Sequence, residues 1–312
     1  MMDAIAPVLV TGATGNVGRE VVRCLQDLDV PFVAAGTNPA RVTKILGSGT
    51  PAVALDFSIP STYAPAVRGM RGLFLLRPPP VSNVRETLNV LVDRALERRP
   101  GGRAAVSGGP PGWSSSDNVD AGVEHIAFLS VEGADRQSWV PHHAVEEHLA
   151  KRGVSATLLR PGFFAQNLAD AYLTDIRDDD RLYVPAGRGR VAFVDVRDVA
   201  ELAARSFVDD GLRRQAFTLT GPEAVTFDEV AAMLSATLGR TVRYDAASIP
   251  AYALHLRRRR MPWMQIVVQT VLHVGLRFGN AKAVDPTLAR LLRRPARSIG
   301  EYISDNQRLW SR

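Results

Sequence analysis

The segment Thr11-Gly12-Ala13-Thr14-Gly15-Asn16-Val17-Gly18 constrains this chain more than any other, because it joins the apolar run "VLV" to an amphipathic stretch starting near residue 16. A strand that feeds a helix through three closely spaced glycines is the usual entry to a βαβ unit. Gly12 permits a tight turn, Gly15 lets the backbone approach a pyrophosphate, and Gly18 lets the helix pack closely on the sheet. The N-terminus of the helix offers N–H groups to an anion, and Thr14, Asn16 and Val17 share the loop. A glycine turn without a ligand would look similar in isolation. Context favours dinucleotide binding, since this turn stands first in a series of βαβ units.

Strand-like runs at 7–11, 31–35, 51–55, 72–76, 123–130 and 154–159 alternate with helical patterns at 16–28, 39–47, 61–69, 84–98 and 142–152. Such alternation predicts a parallel sheet covered on both faces, and the continuous apolar character of the runs agrees. With 312 residues, 46% hydrophobic and 22% charged, the chain can bury a large core and a smaller companion. The expected architecture is α/β: a doubly wound parallel-sheet domain at 1–160 and a smaller α/β lobe at 161–312, with parts near 190–220 returning to the first domain. Residues 98–122 are rich in Gly, Pro and Ser and longer than an ordinary αβ connection. They are expected to form a surface insertion, in which "RAAVS" is a candidate short strand and the whole a candidate lid.

In the second half, "RVAFVDVRDVAELAARSFV" reads as a strand and then a helix capped by Asp195 or Asp198. Thr226 and Glu229 have the spacing of a capping box. At 261–278 the polar residues Gln265, Gln269, His273 and Arg277 recur every four positions, which on a helix makes one drifting stripe. A membrane span has no need of it. The segment is expected to pack on the small lobe and close over a pocket, with a helix lying on a membrane beside Arg257–Arg260 as the alternative.

The net charge of +6 is carried by arginines scattered along the chain, with clusters at 257–260 and 290–297. No zinc-finger spacing or aromatic-rich RNA motif accompanies them, so no nucleic-acid partner is expected. A single cysteine, Cys24, excludes an internal disulfide framework and a multi-cysteine metal site, and no metal is expected. The start "MMDAIAPVLV" lacks the basic flank and long apolar region of a secretory signal, which predicts a cytoplasmic protein without a transmembrane segment.

After the second strand, "AAGTNPARV" places Thr37 and Asn38 where an acid would bind a ribose 2′-hydroxyl. The missing acid and the nearby Arg41, whose guanidinium suits a 2′-phosphate, favour NADP(H) over NAD(H).

Together, "TGATGNVG" at 11–18, "ALDF" at 54–57, "LFLLRPPP" at 73–80, "GVEHIAFLSVEGAD" at 122–135, "VPHHAVEEHL" at 140–149, "LLRPGFFAQNL" at 158–168, "AFVDVRDVAELA" at 192–203 and "LTGPEAVTFDEVA" at 219–231 resemble the NmrA-like branch of the atypical short-chain dehydrogenases/reductases. That branch includes NAD(P)H-dependent quinone and triphenylmethane-dye reductases and the festuclavine and agroclavine dehydrogenases. The resemblance implies a Rossmann domain in which Asp56 and Phe57 lie near the adenine and Leu76, Arg77 and Pro78 beside the adenosine and its ribose. It also implies that Ser130 and Val131 lie near the nicotinamide ribose, with Pro161, Gly162 and Phe163 flanking the nicotinamide. Many relatives carry at position 37 an arginine that meets the 2′-phosphate, where this chain has threonine.

Ordinary short-chain dehydrogenases use a Tyr-x-x-x-Lys pair, which "WVPHHAVEEHLAKRG" lacks. His142 or His143 is the candidate proton donor. A quinone or iminium acceptor is already activated, which fits apolar walls from Phe163, Phe164 and Trp263 better than a dedicated acid. The leading expectation is an NAD(P)H-dependent reductase that passes a hydride to a small electrophilic substrate held between the two lobes. The alternative is a non-catalytic, NAD(P)-sensing regulator acting through a protein partner, and an isomerase would need an acid–base pair that is not evident. The substrate's identity and the oligomeric state are not legible in the sequence.

Overall fold

A computed structural model describes residues 7–97 and 122–312. The first half alternates β1 (Val8–Val10), α1 (Asn16–Asp27), β2 (Phe32–Gly36), α2 (Pro39–Leu46), β3 (Ala52–Ala54), α3 (Tyr63–Val67), β4 (Gly72–Leu76), α4 (Leu88–Leu96), β5 (His125–Leu129), α5 (Pro141–Arg152) and β6 (Ser155–Pro161). There follow α6 (Leu173–Arg177), β7 (Arg181–Val184), β8 (Arg190–Val191), α7 (Val196–Arg205), β9 (Gln215–Leu219), β10 (Val225–Thr226), α8 (Phe227–Leu238) and β11 (Arg243–Ala246). Four helices end the chain: α9 (Ile249–Arg258), α10 (Trp263–Arg277), α11 (Thr287–Leu292) and α12 (Ile299–Asp305).

Two compact units emerge, one of residues 1–161 and 199–218, the other of 162–198 and 219–312. The first contains the seven-stranded sheet, ordered β3-β2-β1-β4-β5-β6-β9. Every pairing among β1 to β6 is parallel, so the fold is the Rossmann-type α/β architecture expected. Strand order reverses between β1 and β4, and in open α/β sheets ligands bind at the carboxyl ends of strands beside such a reversal. The loop after β1 lies at that point. Leu9, Leu73, Leu75 and Phe128 are fully buried, packed with Leu88, Leu91 and Val145 from the covering helices. This is why these strands read as continuous apolar runs rather than alternating ones.

Boundaries shift where local hydrogen bonding overrides periodicity. The helix expected at 84–98 starts at Leu88, because Arg77 Nη1 donates to the carbonyls of Pro79 (3.2 Å) and Val81 (2.7 Å) and holds the preceding segment in turns. The pattern at 61–69 opens as a 3-10 turn at Pro60–Thr62 and is helical only through Val67. The expected insertion at 98–122, with its "RAAVS" strand, lies outside the described residues apart from Gly122.

The second unit has its own core, built around Tyr172, Phe193, Phe227, Ile303 and Trp310. It holds two short ladders, β7 with β11 parallel and β8 with β10 antiparallel. The Thr226/Glu229 capping box forms as expected. At the start of α7 it is Asp195 that caps, its Oδ1 accepting from Arg197 N at 2.8 Å. Asp198 is buried one turn later and accepts from Arg294 (2.8 Å) and from both the backbone and the guanidinium of Arg297. Among the described residues no helix is long and apolar enough to cross a membrane.

Candidate functional site

The glycine loop is held from below. Thr11, fully buried, donates its hydroxyl to the carbonyl of Phe74 (3.0 Å) and accepts from Leu76 N (3.0 Å), fastening the end of β1 to the end of β4. Gly12 has φ +60°, where a side chain is strained. A Cβ on Gly18 would lie 2.2 Å from the carbonyl oxygen of Gly12, so the protein itself requires glycine there. Gly15 differs: a Cβ would meet only the Gly12 carbonyl, at an ordinary 3.4 Å. A Cβ at Gly15 meets no other atom within 4 Å, and the space around it is the room that a ligand approaching the backbone needs. No side chain caps α1, and its first turn carries no acid, which suits an anion at this end of the helix. These residues fit a dinucleotide phosphate.

At the end of β2, Thr37 and Asn38 are exposed. Asn38 caps α2, its Oδ1 accepting from Arg41 N at 3.1 Å, which leaves the amide NH2 as its remaining donor. Arg41 is exposed and forms no ion pair among the described residues. At the end of β3, Asp56 Oδ1 accepts from Ser58 Oγ (2.6 Å) and Ser58 N (2.8 Å), and these bonds hold its carboxyl below the usual carboxylate range. Phe57 is half-buried edge-on to Tyr63, whose hydroxyl donates to the Phe57 carbonyl at 2.9 Å. Beyond β4, the partly buried Arg77 spends one guanidinium nitrogen on the turn carbonyls and has Nε buried without a hydrogen-bond partner among the described residues.

The end of β5 and the start of α5 form a connected polar cluster. Ser130 is buried and donates its hydroxyl to Glu146 Oε1 at 2.5 Å. Glu146, also buried, is gripped by Arg160 of β6 through Nε (3.0 Å) and Nη2 (2.6 Å). The bidentate pair neutralises the carboxylate and fixes the direction of the Ser130 proton. His142 lies one helical turn before Glu146, on the same face of α5. It is buried against Phe128, and its Nδ1 has no hydrogen-bond partner among the described residues. Burial first, and the nearby Arg77 charge second, push His142 down to about 4. At neutral pH a ring lowered that far is uncharged. His143 donates Nδ1–H to the carbonyl of Ala134 at 2.8 Å, which ties the helix to the loop after β5.

In the second unit, Gly162 N donates to the Leu219 carbonyl (2.9 Å), and the Phe163 carbonyl accepts from Val194 N (2.9 Å). The Phe163 ring is edge-on to Phe193 at 5.6 Å and to His273 at 5.9 Å. Phe164 bridges to Val194 and is half-buried. Trp263, expected as a pocket wall, stands 66% exposed at the start of α10. Its place on the outward arc of that helix is the reason. Of the polar stripe on α10, Gln265 and Arg277 are exposed and only His273 is buried. His273 is buried, donating Nδ1–H to the Gln269 carbonyl (2.6 Å) and accepting from the Tyr172 hydroxyl, whereas Val267, Val268, Val271 and Leu272 face solvent.

Three participants escaped the sequence reading: Thr11, Glu146 and Arg160. The signals were present but indirect. Thr11 is the first residue of the glycine motif, and Glu146 and Arg160 stand within the segments "VEEHL" and "LLRPGFF" that carry the family likeness. The last two meet only where α5 packs on β6.

Known proteins resemble this chain over nearly its whole length. The chain is 30% identical to the NAD(P)H azoreductase of Xenophilus azovorans over 301 residues, 95% of this chain and 96% of that protein. The NADPH-dependent quinone oxidoreductase QOR2 of Escherichia coli, solved with NADPH, superposes with a TM-score of 0.78 at 25% identity, covering 96% of this chain and 99% of that one. The triphenylmethane reductase of Citrobacter sp., solved with NADP(H), shares the fold with a TM-score of 0.79 at 21% identity and coverages of 96% and 99%. The profile of the NmrA-like family matches residues 118–293, and with a glycine loop, a sheet order and relatives that all point the same way, this chain belongs to the NmrA-like family.

Proposed function

We propose that the protein is an NAD(P)H-dependent reductase acting on small electrophilic organic acceptors of the quinone, azo, dye or iminium type. The observation that carries this reading is Gly15, a glycine that the fold does not need and that a bound pyrophosphate would. The azoreductase and QOR2 relatives support it. In this reading Gly12, Thr14, Gly15, Asn16, Val17 and Gly18 hold the phosphates, Asp56, Phe57, Leu76, Arg77 and Pro78 border the adenosine, and Ser130, Val131, Pro161, Gly162 and Phe163 border the nicotinamide. A bound nicotinamide dinucleotide supplies the hydride. The chain's own part is to hold donor and acceptor in register and to exclude water. Phe163 and Phe164 offer apolar surface for that. The Ser130 proton is committed to Glu146 and the His142 ring is uncharged, so the side chains near α5 supply no strong acid, and acceptors that take a hydride without prior protonation suit the site best.

The phosphorylated cofactor is favoured, because Thr37 and Asn38 bring no carboxylate and Arg41 stands exposed without an ion partner. The test is oxidation of NADPH and of NADH by the purified full chain with a panel of quinones, azo dyes and iminium compounds, read as loss of reduced-cofactor absorbance. Turnover with NADPH preferred is expected. Tight cofactor binding with no turnover of any acceptor would overturn the reductase reading and favour the non-catalytic, NAD(P)-sensing regulator. Thr37→Arg adds a guanidinium beside the expected 2′-phosphate and should tighten NADPH roughly tenfold, as one charge-assisted hydrogen bond allows, while leaving NADH unchanged. An unaltered NADPH affinity would move the 2′-phosphate elsewhere.

A further inference from the structure

We propose that α10, with the arginines that precede it, is a binding surface for anionic lipid bilayers, on which the protein docks without being inserted across. Trp263, Met264, Val267, Val268, Val271 and Leu272 are all 40–71% exposed. At 3.6 residues per turn they fill an arc of roughly 180° on a helix about 22 Å long. Phe278 extends the stripe past the helix end at 78% exposure. The opposite arc is satisfied internally by Ile266, His273 and Leu276. This outward face is therefore apolar by construction rather than by incomplete packing, and patches of this kind mark interaction sites.

Charge selects the occupant. Between Asp245 and Asp285 the sequence contains no acid and six bases, Arg257, Arg258, Arg259, Arg260, Arg277 and Lys282, a surplus equal to the net +6 of the whole chain. Arg259 is paired with Asp175 at 2.8 Å, but Arg257, Arg258 and Arg260 are exposed and form no ion pair among the described residues. The bases flank both ends of the apolar stripe, and a tryptophan and a phenylalanine mark those same ends. An apolar helical face framed by cations and end-placed aromatics fits the headgroup and acyl boundary of an anionic membrane. A second copy of the chain fits poorly, since two-fold pairing through this stripe brings arginines against arginines or lysine with no acid from 246 to 284 to neutralise them. This surface lies wholly within the second unit and does not depend on the cofactor reading.

The experiment is co-sedimentation of the full-length protein with vesicles of phosphatidylcholine alone and of phosphatidylcholine mixed with phosphatidylglycerol, with the solution mass measured by analytical ultracentrifugation. Binding to the mixed vesicles, weakened by salt, is expected, with at least tenfold less on phosphatidylcholine alone. The double variants Val268→Asp/Leu272→Asp and Arg258→Glu/Arg260→Glu should each lower binding to the mixed vesicles at least tenfold, with circular dichroism unchanged because all four side chains are exposed. The proposal is overturned if the protein ignores the mixed vesicles, or if neither double variant weakens binding. It is equally overturned if the wild-type protein self-associates through this face and Val268→Asp/Leu272→Asp abolishes that association, which would assign the stripe to a second copy.

Discussion

Within the glycine loop, two positions separated by one turn of helix answer to different demands. Gly18 is required by the protein, since any Cβ there collides with the Gly12 carbonyl at 2.2 Å, whereas a Cβ on Gly15 sits at an ordinary 3.4 Å. Gly18→Ala should therefore force the start of α1 away from β1, lowering thermal stability by about 1–3 kcal/mol, as an overpacking substitution does. Gly15→Val should leave the melting temperature close to wild type and abolish cofactor binding by titration calorimetry. A Gly15→Val protein that still binds NADPH normally would remove the main support for the site. This division was half legible in the sequence: the motif marked all three glycines, but which contact each one serves depends on the placement of the Gly12 carbonyl, a tertiary fact. The same holds for Ser130, visible as the polar residue closing an apolar strand, whose proton proves to point at Glu146 only once α5 and β6 are packed together.

At the scale of elements, α5 and β6 are joined by the Glu146–Arg160 pair, with side-chain exposures of 8% and 16%. Arg160 also meets Asp135 (3.4 Å), but replacing Arg160 leaves the buried Glu146 carboxylate without its cation, and an uncompensated buried charge is costly. Arg160→Met should destabilise by about 3–5 kcal/mol, measured by urea unfolding, and Glu146→Gln/Arg160→Met should recover a large part of that loss. An additive double variant would show that the two residues do not act as a pair. Elements differ in how far the sequence specified them. The buried strands β1, β2, β4 and β5 announced themselves because their residues are enclosed by the covering helices, so burial leaves a continuous signal, whereas β3 at the sheet edge is only partly covered. By contrast, α10 offered an apolar arc and a polar stripe, and periodicity alone does not say which is inside. The stripe turned inward at His273 because that ring finds two partners, the Gln269 carbonyl and the Tyr172 hydroxyl, and a satisfied polar group can be buried without the penalty that hydropathy assigns to it.

Over the whole molecule, three buried histidines couple stability to acidity. Burial pushes His125, His142 and His273 down to about 4 each, with Arg213 adding to the effect at His125 and Arg77 at His142. In the unfolded chain each ring takes up a proton near pH 6.5. Above that value neither state is protonated and the full stability is present. As the pH falls from about 6.5 toward 4 the unfolded chain binds protons that the folded protein refuses, so stability drops, at up to about 1.4 kcal/mol per pH unit for each ring. Unpaired carboxylates do not titrate until near pH 4, so the loss above pH 5 belongs to the histidines. Calorimetric melting between pH 7 and 4.5 should show a steady fall of the transition temperature. His125 has Nε2 directed at Thr157 Oγ1 (3.2 Å) and Nδ1 at Ser155 Oγ (3.0 Å), and His125→Gln keeps a donor and an acceptor in that place without a titrating group. The variant should lose stability at pH 7 yet show a shallower dependence on pH. A dependence as steep as that of the wild type would mean that His125 titrates in the folded protein as it does in the unfolded chain.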